Sequence, residues 1–74
     1  MPKLIPIKPK QLIKILSKLG FEERDAEGSH VFSRHPDGRT TVVPIHHKEI
    51  GKGLLRKILN DIQLSTEEYD DLRN

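Results

Sequence analysis

Apolar residues at Leu12, Ile13, Leu16 and Leu19 recur at the three- and four-residue steps of a helix, and Lys10, Lys14 and Lys18 fall on the other side at i,i+4 spacing. Pro9 suits a first helical position and Gly20 a terminator, which predicts a helix over 9–19. From Phe21 the pattern shortens to strand-like runs at 21–25, 29–35 and 40–44. Pro36-Asp37-Gly38-Arg39 is a strong turn signal between the last two, Ala26-Glu27-Gly28 supplies the first connection, and the β-branched run Thr40-Thr41-Val42-Val43 ends at Pro44. Together they predict a three-stranded antiparallel meander. A second helix is expected over 53–61, with Leu54, Leu55, Ile58 and Leu59 apolar. Ser65-Thr66-Glu67-Glu68 has the form of a capping box, so a short third helix over 66–72 docks through Tyr69 and Leu72.

The order helix, three strands, helix, helix implies an α+β fold, because amphipathic helices need a sheet face on which to bury their stripes. The other sheet face is left to solvent, rimmed by Arg34, Arg39 and the Lys48 loop. With 74 residues and only Phe21, Phe32 and Tyr69 as aromatics, the chain has material for one domain. Residues 1–8, punctuated by proline, are expected to be an extended, mobile lead-in to a folded part over 9–72. The absence of cysteine removes disulfides, thiol catalysis and a cysteine zinc site, and fits a reducing cytoplasm. Neither a signal-peptide pattern nor a membrane-length apolar run is visible, so the expected location is cytoplasmic, with no membrane partner.

Charge changes the picture more through its distribution than through its formal sum of +2. Residues 1–20 hold five Lys and no acid, whereas residues 61–74 hold five acids against Arg73 alone. Residues 30–57 combine six Lys or Arg with two acids and all four His, and there a polyanion such as RNA is the natural partner. An ordinary solvated surface accounts for the same charges.

Two blocks then stand out: Glu27-Gly28-Ser29-His30, and Arg34-His35-Pro36-Asp37-Gly38-Arg39 followed by Thr41-Val42-Val43-Pro44. Lys48-Glu49-Ile50-x-Lys52-Gly53-x-Leu55-Arg56-x-Ile58-Leu59 comes next. With Leu12-Ile13-x-x-Leu16-x-x-Leu19-Gly20-Phe21 before them and Leu64-Ser65-x-Glu67-Glu68-Tyr69 after, the chain resembles the HicA family of bacterial toxin-antitoxin modules over about residues 9–72. The resemblance implies a double-stranded-RNA-binding-domain-like fold and an mRNA interferase that arrests translation until a HicB-type antitoxin neutralises it. It also implies that His30, in the Gly-Ser-His motif, is catalytic. Three positions depart from the family pattern: Val31 stands where a second His is frequent, Lys8-Pro9 where Ser or Thr with Gly precedes the first helix, and Gln63 where Gly closes the second.

The chemistry suits histidine. The 2′-hydroxyl of RNA attacks the adjacent phosphorus when a base takes its proton, an acid protonates the departing 5′-oxygen, and cations stabilise the phosphorane. An imidazole titrating near ~6.5 populates both protonation forms, and positioned proton transfer contributes roughly 10²- to 10⁴-fold. Neither a metal nor a cofactor is required. One imidazole cannot be base and acid at once, so Ser29, Arg34, Lys48, Lys52 and Arg56 are candidates to bind or stabilise phosphate, and Gly28 either lets the backbone approach a phosphate or serves the turn.

Taken alone, His30 is an ordinary strand histidine, and the resemblance reverses that preference. His30 and Phe32 share parity, so they lie on one face unless a bulge separates them, and Phe32 is an expected core residue. His35, beside Pro36, reads as a turn-proximal surface residue, and His46 and His47 as solvated loop residues or contacts to RNA or antitoxin. Three competing readings stand beside the toxin. One is a non-catalytic RNA-binding module. Another is a metal site from His30, His35, His46 and His47, whose spacing matches no familiar zinc pattern. The third is a small adaptor for another protein.

Overall fold

The computed structural model describes residues 4–45 and 48–73, without the side chains of 25–27. The chain forms helix α1 (Pro9–Lys18), strands β1 (Glu22–Glu27), β2 (His30–Arg34) and β3 (Thr40–Pro44), then helices α2 (Lys52–Asp61) and α3 (Thr66–Arg73). The strands form one antiparallel sheet in the order β1-β2-β3. This is the α+β, double-stranded-RNA-binding-domain-like arrangement expected from the sequence.

Alternation along the strands decides which face is covered. Val31 and Ser33 of β2 and Thr41 and Val43 of β3 are buried, whereas His30 and Arg34, and Thr40 and Val42, are exposed. Helices α1 and α2 both contact β3 on the buried face. Leu12, Ile15 and Leu16 of α1 and Leu55, Ile58 and Leu59 of α2 form the core with Phe21, Val43 and the fully buried Tyr69 of α3. Ile13 and Leu19 pack at its margin.

Strand β1 runs two residues further than the hydrophobic pattern indicates, because it carries a bulge. Glu23 pairs with Ser33 and Ala26 with Val31, so Arg24 and Asp25 together face Phe32. The first connection is therefore the two-residue turn Gly28-Ser29, with Ala26 and Glu27 in the strand. Gly28, at φ +59°, fills the first loop position, which type II′ hairpins give to glycine. In the second hairpin Gly38 (φ +102°) closes the Pro36-Asp37-Gly38 loop, and its N–H donates to the His35 carbonyl at 2.9 Å.

Both long helices end in the same backbone motif. The Phe21 N–H donates to the Leu16 carbonyl and the Gly20 N–H to that of Ser17; at α2 the Leu64 N–H donates to Leu59 and the Gln63 N–H to Asn60. Gly20 adopts φ +96°, and Gln63 occupies the equivalent left-handed position at φ +56°.

Leu4 and Ile7 of the lead-in segment belong to the core. Leu4 and Ile7 are buried, Ile7 exchanges backbone hydrogen bonds with Ile50 (3.3 and 2.7 Å), and the Tyr69 hydroxyl donates to the Ile5 carbonyl. Among the described residues no helix is long and apolar enough to cross a membrane.

Candidate nucleic-acid interface

His30 opens β2, directly after the Gly28-Ser29 turn, and its side chain is exposed on the uncovered sheet face. Its backbone neighbours are Glu27 on β1 and Pro44 on β3. The bulge lies in β1, so β2 is regular and His30, Phe32 and Arg34 share one face. Phe32 is consequently half-buried on the outer face beside the exposed Val42, and not a core residue as its apolar character suggested. The open face thus runs from His30 through an apolar centre, Phe32 and Val42, to Arg34, which lies opposite Glu22 and Thr40.

Distance separates the candidates. Arg34 is four residues from His30 in the same strand, about 13 Å at the usual rise, so the two stand at opposite ends of the open face. Arg56 is exposed on α2, in the layer behind the sheet, and Lys52 is the first residue of that helix. Lys48 is exposed in the segment leading to α2. Around Gly28 no atom comes within 4 Å of the position a Cβ would occupy, so its glycine is accounted for by the positive φ of the turn, and the backbone there is open to approach. Half-buried Ser29 accepts a backbone hydrogen bond from the Ile45 N–H at 2.6 Å, which ties the Gly-Ser-His turn to the end of β3.

That tie leads to a surface groove lined by Lys8, Pro9, Lys10, Gln11, Ile45 and Lys48. Lys8 and Lys10 lie far in sequence from the basic, His-rich stretch 30–57 that they join here. Their signal in the sequence is a Lys directly before the helix-starting Pro9, where Ser, Thr, Asp or Asn is favoured.

The far end of β2 is structural. The His35 ring meets Phe21 edge-on with centroids 5.1 Å apart and packs against Gly20. Arg39, expected on the rim, instead lies over Phe21 (5.2 Å to the centroid), bonds Asp37 through Nε at 2.7 Å, and donates through Nη1 to the Ile62 carbonyl. The Arg39 backbone N–H donating to the Asp37 carboxylate, with the guanidinium beside it, holds the Asp37 pKa below the ordinary carboxylate value. His30 thus opens the five-residue strand β2 while His35 lies just past its other end, and the two do not share a ligand site. His46 and His47 lie outside the described residues.

Residues 9–64 of this chain match the family described as the HicA toxin of bacterial toxin-antitoxin modules. The chain belongs to the HicA toxin family. No match was found among curated proteins. The match spans α1, the sheet and α2, and so takes in every candidate of the His30 surface together with Lys10, Ile45 and Lys48; Lys8 immediately precedes it.

Proposed function

We propose that this HicA-family chain is an mRNA interferase, an endoribonuclease that cuts RNA by proton transfer through His30 and is neutralised by a HicB-type antitoxin. The observation that carries the reading is the placing of His30. It stands exposed where an open sheet face meets an open glycine turn, with cations on the segments around it.

In the reaction His30 takes the proton from a ribose 2′-hydroxyl. The 2′-oxygen bonds to phosphorus, and the P–O5′ bond breaks. The departing 5′-oxygen takes a proton from solvent or from a neighbouring donor, leaving a 2′,3′-cyclic phosphate and a 5′-hydroxyl. Lys48 and Lys52 are the candidates to stabilise the phosphorane charge. Arg34, at the other end of the face, is suited to a neighbouring nucleotide. Phe32 and Val42 offer an apolar surface between them on which a base can rest. The antitoxin acts by covering the His30 face, and the site of action is the cytoplasm, where mRNA is translated.

The test is cleavage of a defined single-stranded RNA by wild type and His30→Ala in EDTA, with folding of both checked by circular dichroism. The expected result is cutting by wild type and a loss of roughly 10²- to 10⁴-fold in the variant. Undiminished cutting by His30→Ala overturns the role of His30. RNA binding without cutting by wild type favours the non-catalytic module of the same fold.

A further inference from the structure

We propose that the groove between the first turn of α1 and the segment entering α2 holds the phosphodiester backbone of the RNA strand, with Lys8 and Lys10 joining Lys48 as phosphate contacts. The proposal rests on the RNA-cleaving reading and assigns a path by which the strand reaches His30.

Three observations converge on it. Among the described residues the groove is lined by three lysines from two distant parts of the chain and by no acid; Glu49, next to Lys48, is exposed but does not line it. The two parts are held together by the antiparallel Ile7–Ile50 bridge, which sets Lys8 beside the 48–49 segment.

The second observation is where the lysines sit. Lys8 occupies the N-cap of α1, Lys10 lies in its first turn, and no acid is present there. A helix N-terminus disfavours cations and prefers Ser, Thr, Asp or Asn as its cap. Lys8 can only donate, so the cap is reduced to the Gln11 side-chain oxygen accepting from the Lys8 N–H at 3.4 Å. The same chain follows the rules at α3. There the Ser65 hydroxyl accepts from the Glu68 N–H at 3.0 Å, the Glu68 carboxylate accepts from the Ser65 N–H, and Arg73 stands at the C-terminal end. Helix α2 departs as α1 does, with no side-chain cap, no acid in its first turn and Lys52 at its start, so both helices that follow the Ile7–Ile50 bridge open on cations where stability alone favours none.

The third is continuity with the reacting centre. Ile45 forms one wall of the groove, and its N–H is bonded to the carbonyl of Ser29, the residue before His30. A strand seated on Lys8, Lys10 and Lys48 therefore leaves the groove at the His30 end of the sheet. Lysine ammonium groups, as mobile point charges, suit phosphates spaced along a flexible strand and carry no base preference. Ile45 (40% exposed) adds an apolar wall beside them.

The experiment measures binding of a 2′-O-methyl oligoribonucleotide, which lacks the attacking hydroxyl, by fluorescence anisotropy over a salt series. Wild type is compared with Lys8→Gln/Lys10→Gln and with Lys14→Gln/Lys18→Gln, which removes the same charge from the same helix outside the groove. Each lost phosphate contact to a single strand flattens the slope of log K against log salt by ~0.7, so the first variant is expected to flatten it by about 1.4 and the second to leave it near wild type. All four lysines are exposed, and thermal melting confirms that both variants fold.

An unchanged slope in Lys8→Gln/Lys10→Gln, or an equal loss in both variants, overturns the groove; normal cleavage of unmodified RNA by wild type in that case leaves the nuclease reading standing. A flattened slope with no cleavage by wild type keeps the groove and overturns the nuclease. Failure of wild type to bind the oligonucleotide even at low salt, together with no cleavage of unmodified RNA, overturns both.

Discussion

Asp37 holds the tip of the β2–β3 hairpin through its charge: its carboxylate accepts from the Arg39 backbone N–H at 3.0 Å and from the Arg39 Nε at 2.7 Å. Because its folded pKa is lowered, the stability it contributes is present above the ordinary carboxylate pKa of ~3.9 and is lost as pH falls through the folded value. The melting-temperature difference between wild type and Asp37→Asn should therefore be largest near neutrality and shrink on acidification below about pH 4. A constant difference from pH 7 to pH 2 would show that the ionised carboxylate does nothing there. At this scale the sequence was readable where local chemistry decides. Asp37 and Gly38 announce the turn, and Gly28 the loop before His30. It was not readable where a distant partner decides. Arg39 reads as a rim cation because Phe21 and Ile62, which engage it, lie far along the chain. Phe32 reads as core because a single aromatic does not reveal that a bulge in the neighbouring strand leaves the parity of its own strand intact.

Helix ends carry the clearest element-scale consequences. Gly20 and Gln63 close α1 and α2 with the same hydrogen bonds, but only glycine adopts positive φ without a Cβ penalty. Gln63→Gly is expected to stabilise the fold by up to about 1 kcal/mol in urea denaturation. Lys8→Ser should also stabilise, by about 1 kcal/mol, through a regained N-cap and removal of a cation from the helix N-terminus. If Lys8 serves RNA, the same substitution weakens binding, so stability and affinity move in opposite directions. A gain in stability with no loss of affinity would show that Lys8 is only a poor cap. The caps of α3, the turn glycines and the span of each helix were legible because they depend on residues within a few positions of one another. The end of β1 was not, since a bulge adds residues without altering the apolar pattern that marks a strand.

At the scale of the molecule, the lead-in segment matters more than its prolines suggest. Sequence shows residues 4–7 as extended but offers no sign that Ile7 pairs with Ile50 or that Tyr69 donates to Ile5, because both depend on how the finished layers meet. The candidate site was legible in the same uneven way. His30 and Lys48 followed from motif and charge, while the groove exists only once two distant segments are joined. A chain of 74 residues has a total stability of roughly 4–11 kcal/mol. Ile7 is 3% exposed, and replacing it by Ala removes a buried side chain at a cost of about 2–4 kcal/mol, a large share of that total. Ile7→Val, at about 0.5–1.5 kcal/mol, keeps the β-branched shape and the backbone bridge. Denaturation midpoints should rank wild type, Ile7→Val and Ile7→Ala in that order. Amide exchange should show the Ile50 N–H, which donates to Ile7 at 2.7 Å, losing protection in Ile7→Ala before the sheet amides do. Loss of protection at Ile50 and in the sheet together would mean that the bridge opens only with global unfolding. Early loss at Ile50 alone would mean that the segment can release locally, separating Lys8 from Lys48 while His30 stays in place on β2.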